Sequence, residues 1–177
     1  IVRICAEVSE CLGGVASAVN FNSQGQVVIA GYVGTVEAAS IALKDAGAKK
    51  VMPLPVSAPF HTQLMMPASD RLAEAIAHMR ILSPRVPVVH NVHAATERDP
   101  EEIRRLLVKQ IYSPVQWTAC VQAIIQAGAR HIIECRPGKV LSGLCRRIDK
   151  SLMCYSLEEP DGLSAAAAAI EASEGGR

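Results

Sequence analysis

From residue 50 onward the chain repeatedly switches hydrophobic period. Short apolar runs at 50–56, 86–92, 131–135 and 153–157 are separated by longer stretches with apolar residues at helical spacing. Strands buried on both faces read as continuous apolar runs, and strands joined through helices run parallel. The pattern therefore predicts an α/β chain with a mostly parallel sheet.

The region before residue 50 has a different order. A helical pattern opens the chain at Ile1, and 15–21 and 26–32 read as strands joined by Asn22-Ser-Gln-Gly25, whose asparagine and glycine suit a hairpin turn. Thr35 is the expected cap of the next helix and Gly47 its left-handed terminator. Helix, strand, strand, helix, strand would become the split β-α-β-β-α-β pattern of a ferredoxin-like unit if one strand preceded residue 1. The chain opens without methionine, so it is expected to be cut from something longer. The expected division is a small ferredoxin-like subdomain over 1–56 and a larger one over 57–177.

Further along, a helix is expected over 66–79, with Leu72, Ala75, Ile76 and Met79 on one side. Asp99-Pro-Glu-Glu102 combines a cap, a first-turn proline and acids at the positive end of the helix dipole. Ser113-Pro114 interrupts that helix, and a second is expected over 114–127, stopped by Gly128. Residues 140–148 and the alanine-rich C-terminal segment read as two more helices.

Composition narrows the function. Half of the 177 residues are hydrophobic, enough for a sizeable core, while a net charge of +1 and 3% aromatic residues give no footprint for nucleic acid or an anionic membrane. Six cysteines at 5, 11, 120, 135, 145 and 154 form no C-x-x-C pair, and no leader or long apolar span is seen. Reduced thiols in a cytoplasmic protein are expected.

Chemistry concentrates at His61. An apolar run broken by Pro53, Pro55 and Pro59 delivers this histidine to a loop just before a helix, where an imidazole titrating near neutral pH suits a general base. The structural alternative is a buried histidine with satisfied hydrogen bonds. The string Ser57-Ala-Pro-Phe-His61, followed by Leu64-Met-Met-Pro-Ala68, resembles the catalytic-histidine segment of malonyl-CoA:acyl carrier protein transacylases. Three further strings extend the resemblance in the same order: Val19-Asn-Phe-Asn-Ser-Gln-Gly-Gln-Val-Val-Ile-Ala-Gly31, Val108-Lys-Gln-Ile-Tyr-Ser-Pro-Val-Gln-Trp117 and Glu134-Cys-Arg-Pro-Gly-Lys-Val-Leu-Ser-Gly-Leu144.

The resemblance implies a ferredoxin-like subdomain inserted in part of an α/β-hydrolase-like domain. It implies that His61 is the general base and acid, and that the Gln110 main-chain carbonyl accepts the other ring N–H and fixes the tautomer. Phe60 stands where related acyltransferases carry a bulky residue if they accept malonyl, because a phenyl ring fills the space a branching methyl needs. Lys49 and Lys50 are candidates to face the phosphates of coenzyme A or an acidic acyl carrier protein; the alternative is a solvated pair. The implied substrate is a coenzyme A thioester, malonyl-CoA, with no permanently bound cofactor. The implied partner is acyl carrier protein, and the expected state is a monomer.

Other candidates carry less. Asn91 matches a polar position common near the family's active site but is assigned no chemistry. His90 and His93 would point to opposite faces of a strand and lack a clear third ligand, so no metal is expected. Ser142, Cys135 and Cys145 lie in no glycine-flanked elbow, and structural roles are expected for them.

The chain departs from the family in two respects. Arg136 replaces the first glycine of a usual Gly-Pro-Gly, which at positive φ would strain the turn by about 1 kcal/mol. No Gly-His-Ser-x-Gly elbow is present, nor the downstream arginine that holds the malonyl carboxylate. The sequence therefore reads as the C-terminal part of such an enzyme, with its nucleophilic serine outside the chain and the chain alone expected to be inactive. The alternatives are an acyltransferase domain of a polyketide synthase and a noncatalytic fragment that only docks carrier protein.

Overall fold

The computed structural model describes residues 1–135, 138–158 and 161–174. Contacts divide the chain into two compact units, Ile1–Trp117 and Thr118–Arg177. Among the described residues the fold is mixed α/β with small sheets. Three two-stranded sheets are formed, of which two are antiparallel.

The first unit begins with α1 (Val2–Leu12), β1 (Ala16–Ser23), β2 (Gln26–Gly31) and α2 (Val33–Asp45). Its core is Cys5 of α1 against Ala16 of β1 and Ala39 of α2, flanked by Val8, Ile29 and Val36. The Ser9 hydroxyl joins helix to strand: it donates to the Cys5 carbonyl (2.7 Å) and accepts the Ala16 N–H (2.8 Å). The hairpin forms as expected, with Gly25 at φ +77° in the turn. Thr35 is not the cap of α2. Tyr32 takes the cap position, and Thr35 is buried inside the first turn. The C-terminus of α2 is as expected: Gly47 is left-handed (φ +93°), and the Ala48 N–H reaches back to the Leu43 carbonyl at 2.9 Å.

Residues 50–56 are not a strand. Pro53 and Pro55 have no N–H, and the Val56 N–H closes onto the Leu54 carbonyl at 2.9 Å. Met52, Leu54 and Val56 are all exposed. Of residues 86–92 only β3 (Val89–His90) pairs, antiparallel to β4 (Ala95–Thr96). The mostly parallel sheet is corrected accordingly: the parallel ladder among the described residues pairs His131–Glu134 with Met153–Ser156 in the second unit.

After a 3-10 turn (Gln63–Met65), α3 (Met66–Ile76) ends sooner than expected, and α4 (Pro100–Lys109) starts as its sequence predicts. Asp99 caps α4 by accepting the Glu101 N–H, and Pro100 stands at the first turn. Arg104 of α4 donates to the carbonyls of Ile76 and Met79 (2.9 Å for the latter), satisfying the open end of α3. The next helix, α5 (Trp117–Gln126), starts late because Val115 bridges to β1: its N–H reaches the Val19 carbonyl (2.8 Å) and its carbonyl takes the Phe21 N–H (3.0 Å).

In the second unit, β5 (His131–Glu134), α6 (Val140–Ile148) and β6 (Met153–Ser156) form a parallel strand pair with a helical crossover, followed by α7 (Gly162–Glu174). Glu134 is buried and its carboxylate accepts the N–H groups of Leu141 (3.1 Å) and Ser142 (2.8 Å), capping α6 from the end of β5. The expected strain at Arg136 falls outside the described residues. Among them, no helix is long and apolar enough to cross a membrane.

Leu106, 2% exposed, is the most deeply buried large side chain of α4. Leu106→Ala is expected to lower the unfolding free energy by about 2–5 kcal/mol in urea titrations; a loss below about 1 kcal/mol would contradict this packing.

Candidate functional site around His61

The loop between Pro59 and the 3-10 turn is wound tightly. The Phe60 N–H bonds to the Ala58 carbonyl at 2.9 Å, and His61 adopts φ +63°, the left-handed region that a side chain with a Cβ avoids. Two consecutive carbonyls at the end of α4 hold this histidine. Its amide N–H donates to Ile111 O (3.2 Å), and its ring Nδ1 stands 2.9 Å from Gln110 O. The Gln110 oxygen is available because the last carbonyls of a helix have no intrahelical N–H to accept, and Ile111 follows just beyond the cap.

With Nδ1 donating to a carbonyl, the proton is on Nδ1, and Nε2 keeps its lone pair. His61 is partly exposed, so that lone pair is not sealed in the core. The arrangement is that of a base oriented by a neutral acceptor. Phe60 follows the same turn outward and is 49% exposed. Lys49 and Lys50 are exposed and make no ion pair among the described residues. A cavity of about 460 Å³ in the same unit is lined by Ser9, Phe21, Gln63, Pro114 and Gln116 among others, and not by His61.

Contrary to expectation, His90 and His93 do not point to opposite faces, since 91–94 is a turn rather than a strand. The centroids of the two rings lie 6.0 Å apart. Burial lowers the His90 pKa, His93 lowers it further and Glu97 opposes. No group of three metal-ligating side chains occurs among the described residues. Asn91 contributes a backbone contact, its carbonyl accepting the Gln116 N–H at 2.9 Å.

Ser142 is buried on α6. Burial pushes up the thiols of Cys5, Cys120, Cys145 and Cys154, that of Cys145 to about 11 with Cys154 and Glu134 adding to the effect. None of these four is a thiolate near neutrality. Sequence reasoning did not single out the Ile111 carbonyl or Thr62, whose buried hydroxyl accepts the Leu64 N–H; a threonine just before a helical pattern was the available signal.

Comparison with known proteins gives the site a context. The chain is 51% identical over 166 residues to the malonyl CoA-acyl carrier protein transacylase of Salmonella typhimurium, covering 94% of this chain and 53% of that protein. It is 40% identical over 139 residues to the Staphylococcus aureus protein of the same name, covering 78% and 45%. Among solved structures, an acyl-carrier-protein S-malonyltransferase from Burkholderia pseudomallei superposes with a TM-score of 0.88 at 47% identity, covering 93% of this chain and 53% of that one. A type II PKS acyl-carrier protein in complex with its malonyl-transacylase matches with a TM-score of 0.89 at 44% identity, over 93% and 53%. No family model matches the chain. The chain is thus homologous to malonyl CoA-acyl carrier protein transacylases and spans about half the length of these relatives.

Native-state alkylation read by mass spectrometry is expected to modify Cys11 and Cys135, which are exposed, well before the four buried cysteines. Early modification of Cys145 would contradict its burial.

Proposed function

We propose that this chain carries the acid–base half of a malonyl-CoA:acyl carrier protein transacylase, an acyltransferase of fatty-acid synthesis. The observation that supports the reading most is the 2.9 Å approach of His61 Nδ1 to Gln110 O on a partly exposed loop. A serine supplied by polypeptide outside these 177 residues is the nucleophile. His61 Nε2 takes the serine proton as Oγ attacks the thioester carbonyl, then gives it to the departing coenzyme A thiolate. In the second half His61 deprotonates the phosphopantetheine thiol of the carrier protein and returns the proton to serine as the ester breaks. Gln110 O keeps the ring in one tautomer throughout. Being neutral, it orients the base without the full charge of a triad carboxylate.

In the same reading Phe60 limits the acyl pocket to unbranched malonyl, and Lys49 and Lys50 meet the phosphates of coenzyme A or the acidic carrier surface. Residues 1–56 belong to a ferredoxin-like subdomain and 57–177 to part of an α/β-hydrolase-like one. The enzyme works in the cytoplasm as a monomer without a permanent cofactor. The relative whose structure was solved in complex with an acyl-carrier protein supports the choice of partner.

The test is a chimera in which this chain replaces the matching 53% of the Salmonella typhimurium relative, assayed for malonyl transfer from coenzyme A to carrier protein. The chimera is expected to be active and the 177-residue chain alone inactive, with His61→Gln lowering the chimera's rate by about 10²–10⁴-fold. Transfer by the short chain alone, or a His61→Gln chimera within twofold of its parent, would overturn the proposal.

A further inference from the structure

We propose that Thr62 is a positioning residue for His61, acting through the backbone rather than on substrate. The inference rests on the acid–base role proposed for His61. Thr62 is 2% exposed, and its hydroxyl is fully engaged: Oγ1 donates to Pro59 O (2.7 Å) and accepts the Leu64 N–H (3.2 Å). Those two bonds reach back across Phe60 and His61 and forward into the 3-10 turn. The hydroxyl therefore brackets the histidine whose φ is +63°.

A left-handed residue with a Cβ is disfavoured relative to ordinary backbone, so the conformation persists only where its surroundings enforce it. On one side the Gln110 and Ile111 carbonyls enforce it. On the other, the part of the chain that would have to rotate is tied at Pro59 and Leu64 through a single oxygen. Remove that oxygen, and a part-buried carbonyl and a part-buried N–H lose their partner. Both regain partners most readily if φ of His61 relaxes to negative values. The same rotation swings Cβ and lifts the imidazole off Gln110 O, leaving Nδ1–H without its acceptor. A free imidazole favours the Nε2–H tautomer, in which the nitrogen proposed to act as base already carries a proton.

The test compares Thr62→Val, which keeps shape and removes the hydroxyl, with Thr62→Ser, which keeps the hydroxyl. Long-range ¹H–¹⁵N NMR of ring-labelled protein reads the tautomer of neutral His61, with the His61 signal assigned by its loss in His61→Gln. The parent chain and Thr62→Ser are expected to show Nδ1–H, and Thr62→Val mostly Nε2–H. In the chimera, Thr62→Val should lower kcat by about 10–100-fold while KM stays within twofold, and Thr62→Ser should restore most of the rate. Lost helix capping alone would lower thermal stability without moving the tautomer.

A folded Thr62→Val that keeps Nδ1–H and its kcat overturns the proposal. If Thr62→Val does not fold, Thr62→Ala is read in the same way; if neither folds, Thr62→Ser decides alone, and loss of Nδ1–H with the hydroxyl present overturns it. The tautomer reading does not depend on catalysis. A fully active His61→Gln chimera would remove the acid–base role and leave the Thr62 geometry standing.

Discussion

A helix that stops leaves its last carbonyl oxygens without N–H partners, and they must be satisfied by something. At the end of α4 one of them, on the C-cap Gln110, is taken by the ring of His61, and the Ile111 carbonyl just beyond is taken by the amide of the same histidine. Everything proposed for this chain depends on where that helix ends. Its start is fixed by Asp99 and Pro100, and its body is seated by Ile103 and Leu106. Its register against α3 is fixed by Arg104, whose guanidinium caps the neighbouring helix. A shift of one residue along α4 would rotate the free carbonyls by about 100° and present His61 with none.

What the sequence made legible, and what it left hidden, follows from the kind of information each element carries. Local devices were readable. Asp99-Pro-Glu-Glu announced α4, Gly25 the hairpin turn, and Gly47 and Gly128 the ends of their helices, because each acts within a few residues of itself. Pairing was not. Residues 50–56 have the composition of a buried strand, yet a strand exists only where a neighbour supplies the ladder, and no period in one segment says which neighbour that is. Met52, Leu54 and Val56 are therefore exposed, in a chain that spans about half the length of its relatives. Likewise α5 begins at Trp117 rather than Pro114 because Val115 is engaged by β1, a contact across some ninety-five positions of sequence.

The site divides along the same line. His61 was legible because imidazole is a distinctive side chain in a distinctive string. The partners that orient it are main-chain oxygens, and a carbonyl has no signature in sequence: Gln110 entered through resemblance alone, and Ile111 did not enter at all. Thr62 was overlooked since threonines before helices are common and only its burial, with both hydrogen bonds made, sets it apart. The His90–His93 pair failed for the opposite reason. Three-residue spacing separates two side chains only on a strand, and the turn at 91–94 reverses that geometry.

The central claim is geometric: a left-handed histidine with its ring on the last carbonyl of a helix. An experimental crystal structure of the chain joined to the remainder of a full-length relative tests it most directly. The account predicts positive φ at His61, Nδ1 within about 3 Å of Gln110 O, and Nε2 facing open space. A negative φ, or an imidazole bonded elsewhere with Gln110 O left to solvent, would contradict it.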